Sequence, residues 1–292
     1  MKILITVFLS LFCLSLNAQY KPYKKPKPKK SNASGTLNVS WGYNLSSYTK
    51  STIQFVGAGY DFKIAGVKAV DRPSKDIKTY FNPNTITVPQ FNARIGYNFQ
   101  NNWNVSIGYD HMKYVMVHNT PYLLTGKINA GVDNVTNWSG SYAGDSILTD
   151  EQTFHYENTN GMNYIRLEMA KLRVWHRSRS GNFAFTTLLG GSVGGILSFN
   201  DFTFAGRKDL ATVSMSGLGI SGHLGGRFEF FKHFFVQMNA ATGFMMQSRV
   251  KTRPNDYDAY ARHRFGYASG EIVIGGLFYI HTKNDCNSCP NW

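Results

Sequence analysis

Between Ser216 and Gln247 the chain alternates apolar and polar positions through two successive runs separated by a turn. In the first, Leu218, Ile220, Gly222, Leu224, Gly226, Phe228 and Phe230 share one side, opposite Gly219, Ser221, His223, Gly225, Arg227 and Glu229. After Phe231-Lys232-His233, the apolar side resumes with Phe234, Val236, Met238, Ala240, Phe244 and Met246, opposite Gln237, Asn239, Ala241, Gly243 and Gln247. Period two signifies strands, and alternation kept up for about ten residues or more is the length a tilted strand needs to cross a bilayer. Strands of soluble proteins usually stop after about six. The two runs therefore predict a transmembrane β-hairpin.

The same pattern recurs along the chain. Leu37, Val39, Trp41 and Tyr43 alternate with Asn38, Ser40, Gly42 and Asn44, and Phe91 to Phe99 alternates with Asn92, Arg94, Gly96 and Asn98. Trp103, Val105, Ile107 and Tyr109 follow a tight turn at Gln100-Asn101-Asn102; Ile165, Leu167 and Met169 end at the basic turn Arg177 to Gly181, from which Phe183, Phe185, Leu189 and Val193 rise. Ile272, Ile274, Gly276, Phe278 and Ile280 form the closing strand. Short turns at 100–102, 177–181 and 231–233 alternate with long connections at 45–85, 119–160, 199–212 and 249–265. Barrels of bacterial outer membranes keep short turns in the periplasm and long loops outside. The expected fold is all-β, an antiparallel up-and-down transmembrane barrel of eight strands spanning 36–281, with Ile53 to Val67 as an extracellular excursion; counting that stretch as a ninth spanning strand breaks the parity, which one further hidden strand would restore at ten.

Composition supports the barrel over its rivals. Mean hydropathy is −0.27 although 42% of residues are hydrophobic. After residue 20 no apolar run reaches the roughly 18 residues of a spanning helix, which excludes a helical membrane protein. The formal charge of +14, from 31 basic and 17 acidic residues, raises a nucleic-acid reading. It fails because much of the excess sits in one tail and no recognition element accompanies it, so no nucleic acid is expected as a partner. Residues 1–18 read as a signal peptide, with Lys2, the apolar stretch Ile3 to Leu16, and a cleavage site at Leu16-Asn17-Ala18 before Gln19. Residues 19–35 read as an extended periplasmic linker, with six lysines and three prolines within Lys21 to Lys30. Cys286 and Cys289 in the tail 282–292 form a disulfide candidate in an oxidising compartment.

The closing stretch Gly276-Leu277-Phe278-Tyr279-Ile280 resembles the glycine-and-aromatic strand ends that barrel-assembly machinery recognises. With the Ala18-Gln19 junction and the stretches Asp110 to Met116 and Glu157 to Tyr164, the chain is similar to small outer-membrane β-barrel proteins of Bacteroidota, of the OmpA-like, OmpX-like or porin-family kind. That resemblance implies integration in the cell outer membrane, contact with its lipids and lipopolysaccharide, and passage through the assembly machinery. It brings no catalytic residue with it.

Candidate chemistry is sparse. Gly217-Leu218-Gly219-Ile220-Ser221-Gly222 matches a dinucleotide-binding spacing, but that motif must open a helix and here it lies within period-two alternation. No cofactor and no metal is expected. Inward positions carry both signs of charge at Arg94, Asp110, Arg166, Glu168, His223, Arg227, Glu229 and Glu271, which predicts a lumen ion network. At the outer rim Asp110 with His111, and His155 with Glu157, could supply a general base to a lipid A acyl hydrolase or acyltransferase, although no serine or cysteine nucleophile is fixed beside them. The expected function is non-catalytic binding of a surface ligand, glycolipid or protein through the extracellular loops. A lipid-modifying enzyme and a narrow porin are the alternatives.

Overall fold

The computed structural model describes residues 33–280; the signal peptide, residues 19–32 of the linker and the Cys286/Cys289 pair lie outside the described residues. Eight strands close a ring: β1 (Thr36–Tyr48), β5 (Phe91–Asn98), β6 (Trp103–Met116), β9 (His155–Arg177), β10 (Phe183–Phe204), β11 (Arg207–Phe230), β12 (Phe234–Arg253) and β13 (Asp256–Tyr279). Neighbours pair antiparallel around the circle, and β1 meets β13 from Thr36↔Tyr279 to Tyr48↔Tyr267, which shuts the barrel. Both ring ends thus lie beside the short turns that join β5 to β6, β9 to β10 and β11 to β12.

Each ring strand contributes an exposed apolar residue to an outer band: Val39, Ile95, Ile107, Leu167, Leu189, Leu224, Val236 and Ile274. Toward the short-turn mouth the band is edged by exposed aromatics, among them Phe99, Trp103, Trp175, Phe231 and Phe234. Apolar side chains left outward around a closed ring require hydrocarbon outside, and an aromatic edge is where such a ring meets the lipid interface.

The remaining strands form a wing on the other half of the barrel. β2 (Ser51–Gly57) pairs with the upper part of β13 at Arg262↔Gln54, and β3 (Tyr60–Val67), β7 (Pro121–Ile128) and β8 (Gly140–Leu148) follow in order. The two-residue strand β4 (Ala69–Val70) pairs with β6, and Lys78–Phe81 makes a single helical turn. The expected excursion Ile53 to Val67 is the β2–β3 hairpin, outside the ring.

Three expectations are corrected. Residues 119–160 are not simply a polar loop, because β7 and β8 lie within them. Asn200–Ala211 and Arg249–Arg264 are almost entirely strand, with β10 running to Phe204 and β12 to Arg253 before turns at 205–206 and 254–255. The reason is an inversion of phase. Above the apolar band the outer face meets water and the inner face is a core, so Phe202, Phe204, Val250, Ala261 and Phe265 point inward, while Arg249, Arg262 and Arg264 point out. A reading that looks for apolar residues outside loses the strand at that level.

The interior is consequently layered. A small apolar cluster of Ala33, Phe235, Val273 and Leu277 fills the short-turn mouth. Polar side chains fill the middle. Above them Phe55, Phe62, Tyr114, Phe154, Tyr156, Phe202, Phe204 and Phe265 pack as an aromatic core in which Phe55 contacts Phe62, Phe154, Tyr156 and Phe202.

Candidate functional site

The middle layer is an ion cluster that crosses the lumen. Arg94 Nη1 on β5 lies 2.6 Å from Asp110 Oδ1, its Nε 3.2 Å from Glu168 Oε2 and its Nη2 3.8 Å from Glu271 Oε1. Arg166 on β9 meets the same three carboxylates, at 3.1 Å from Asp110, 3.2 Å from Glu168 and 3.6 Å from Glu271. His223 Nε2 comes in from β11, 3.5 Å from Glu168 Oε1. Glycine makes the room: a Cβ at Gly108 would stand 2.8 Å from the Arg94 side chain, and one at Gly190 would stand 2.6 Å from His223 Nε2. Arg227 and Glu229 sit lower. Arg227 lies over the Phe235 ring at 4.3 Å and donates from Nε to Gln237 Oε1 at 2.7 Å, while Glu229 accepts from the Thr186 hydroxyl at 3.5 Å. Such an array, buried and shared between two guanidiniums and three carboxylates, holds charge in place; it presents no open face to a substrate.

The rim residues separate into three places. Asp110 belongs to the lumen cluster. His111, on the opposite face of β6, stacks on Phe91 with centroids 5.4 Å apart and has Nδ1 2.8 Å from Asn163 Oδ1. His155 and Glu157 are higher, since Glu157 pairs with Val115 whereas Asp110 pairs with Tyr164. The two pairs, both expected at the outer rim, therefore lie at different heights: β6 and β9 are neighbours, but a bulge between Met112 and Tyr114 and the length of both strands hold the pairs apart.

His155 and Glu157 instead join a chain that sequence reading missed. Arg72 Nη1 is 3.1 Å from Glu157 Oε2, which is 3.1 Å from His155 Nε2. His155 Nδ1 is 2.7 Å from His118 Nε2, and His118 Nδ1 is 3.1 Å from Thr149 Oγ1. Burial pushes the Glu157 carboxyl up, but the hydrogen bond from His155 and the charge of Arg72 outweigh it and hold the group below the usual range. Burial and the adjacent His155 hold His118 below its ordinary value. His118 opens into a cleft of about 460 Å³ with Asp150, Glu151, Thr203 and Lys208. The members come from four separate stretches, so spacing gave no sign of them. Among the described residues no group of three His, Cys, Asp or Glu side chains is placed to hold a metal ion.

A closed eight-stranded ring with an apolar outer band defines a transmembrane β-barrel of the outer-membrane type. No protein-family model and no curated protein sequence matches the chain. Among solved structures it is similar to Ail, the attachment invasion locus protein of Yersinia pestis, at 11% identity over 84% of this chain and 99% of that one, with a TM-score of 0.32. It is similar to the outer membrane protein OprG of Pseudomonas aeruginosa, at 12% identity over 85% of this chain and 97% of that one, with a TM-score of 0.36. It is also similar to the outer membrane protease OmpT of Escherichia coli, at 10% identity over 82% and 96% of the two chains, with a TM-score of 0.32. Likeness at that level assigns no activity.

Proposed function

We propose that the protein is a non-catalytic barrel of the cell outer membrane, closed to solutes, that serves envelope integrity and binds a surface ligand, glycolipid or protein through its extracellular half. The observation that carries this reading is the filled interior, with apolar side chains at the short-turn mouth, the ion cluster in the middle and the aromatic core above. An eight-stranded ring is narrow enough for side chains to occupy it completely. The short-turn mouth, with both ring ends, faces the periplasm, and the wing faces outside. Outer-membrane lipids and lipopolysaccharide are its surroundings, and barrel-assembly machinery inserts it. Single-channel recording in a planar bilayer tests the reading: no steady conductance is expected, and long-lived open levels that scale with salt would overturn it in favour of a narrow porin.

A second reading, an enzyme at the outer rim, is favoured by the chain from Glu157 through His155 to His118 and the cleft beside it. A carboxylate that orients one imidazole against another resembles the arrangement of a general base. Against it, Thr149 is buried and His155 faces Thr203 beside the tip of the β10–β11 hairpin, beyond the apolar band where acyl chains lie. Mass spectrometry of lipid A from cells with and without the protein separates the two readings, because only the enzyme changes the acyl pattern.

A further inference from the structure

Along the outer face of β13, Ile274, Ile272, Gly270, Ala268 and Gly266 succeed one another without a polar side chain, and then Arg264 and Arg262 appear. Arg264 stands opposite Met246, two residues above the exposed Phe244 on the same face of β12. The step from hydrocarbon to cation thus falls at one level, where the barrel leaves the bilayer. At this level the wing branches off, because β1 leaves β13 after Tyr48↔Tyr267 and β2 joins it at Arg262↔Gln54. The branch leaves a cleft of about 650 Å³ lined by Lys50, Lys63, Arg262, Arg264, Gln54 and Met246 among others, and an adjoining cleft of about 420 Å³ shares Lys50 and adds Lys68.

These cations are not consumed by the fold. Lys63, Arg262 and Arg264 are exposed, and Arg262 uses its Nε to donate to Gln54 Oε1 at 2.9 Å, which fixes the guanidinium while its remaining N–H groups stay available. Asp61, the carboxylate of this face, is engaged by the Gln54 amide at 2.5 Å. Four or five positive groups around a concave site, with a methionine at its membrane edge, match a phosphate carried by a lipid whose chains lie in the adjoining leaflet. We infer that the cleft between β13 and the β2–β3 hairpin binds the phosphate of a phosphorylated glycolipid in the outer leaflet. The inference deepens the proposed function and rests on its membrane orientation.

The test uses the full chain folded in detergent micelles, with bisphosphorylated lipid A as the probe and native mass spectrometry as the readout. Wild type retains the lipid, whereas K63Q/R262Q/R264Q binds it about a hundredfold more weakly, as three lost cations near an anionic surface imply. Dephosphorylated lipid A binds wild type as weakly as the intact lipid binds the variant. All three substitutions lie on an exposed face, and heat-modifiable migration on gels confirms that the variant folds. Undiminished binding by the variant, or equal binding of the dephosphorylated lipid, overturns the site. Complete displacement of the lipid by millimolar inorganic phosphate overturns the lipid in favour of a free anion. Any of these results with a non-conducting wild type removes this site alone, whereas a conducting wild type removes the closed-barrel reading.

Discussion

His118 Nε2 stands 2.7 Å from His155 Nδ1, so one of the two nitrogens carries a proton and the other accepts it. Glu157 settles which. Its carboxylate accepts a hydrogen bond from His155 Nε2–H, so the neutral imidazole is left with Nδ1 as acceptor for His118 Nε2–H, and the Thr149 hydroxyl donates to His118 Nδ1. Because the folded protein holds His118 below its ordinary value, the unfolded chain binds that proton first. The stability from neutral His118 is therefore present above about pH 6.5 and declines as pH falls toward the folded value. Amide protection factors at residues 149–155, with the intrinsic pH dependence of exchange divided out, should fall between pH 7.5 and pH 5 in wild type, and H118N should flatten the dependence. Identical protection factors at both pH values would mean that the chain is not a coupled unit.

A second histidine acts in the same direction from a deeper position. His263 is enclosed by Tyr114, Tyr156 and Phe265, with Nε2 2.5 Å from Gln247 Oε1, and burial takes it down to about 3. Its folded value lies below the unfolded one, so its contribution is complete above about pH 6.5 and is lost progressively as pH falls toward 3, by at most about 1.4 kcal/mol per pH unit. Urea unfolding of protein inserted in lipid vesicles should show this slope between pH 6 and pH 4 in wild type, and a shallower one in H263Q. Equal slopes would place His263 in contact with water.

The ring was legible because lipid imposes one rule along a whole strand: Ile220, Val236 and Ile274 face out, and Ser221, Gln237 and Val273 face in. Where that rule ends, legibility ends with it. In Phe202-Thr203-Phe204 and in Ala261 to Phe265 the alternation continues with the faces exchanged, which in sequence looks like a loop. The inward ions were visible as residue types on one face, but their partners were not, because Arg94 reaches Glu271 two strands away on the ring. His118 escaped notice for another reason. It lies in a connection, 37 residues from His155, and only the fold of residues 119–154 brings the two together.

The lumen ions should be unequal in importance. Arg166 faces three carboxylates at 3.1–3.6 Å, whereas Arg227 touches the neutral Gln237 and the Phe235 ring and feels the charges of Glu229 and Glu168 without a contact at that range. Arg166→Ala leaves those carboxylates short of a counter-ion in a buried site, and should cost roughly 3–5 kcal/mol. Arg227→Ala loses a hydrogen bond, a ring contact and the attraction of Glu229, and should cost about 1–3 kcal/mol. Urea midpoints of the two variants in vesicles check the order. Equal losses would mean that water enters the cluster and screens it.

Ile220 and Leu123 are exposed to similar degrees, 61% and 50%, yet the fold puts lipid against one and water against the other. Ile220 lies within the apolar band of β11, flanked on the same face by Leu218 and Leu224. Leu123 lies on β7 in the wing, where its strand neighbours pointing the same way are Pro121 and Thr125. Arginine at Ile220 must carry its charge into hydrocarbon and should cost roughly 2–4 kcal/mol if the position is near the bilayer midplane. Arginine at Leu123 keeps its charge in water, and a substitution on an exposed surface changes stability by no more than about 0.5 kcal/mol. Unfolding of I220R and L123R in the same vesicles separates the two environments. Equal costs would show that the exposed apolar residues of the ring do not face lipid, and would move the membrane boundary away from the step at Arg264.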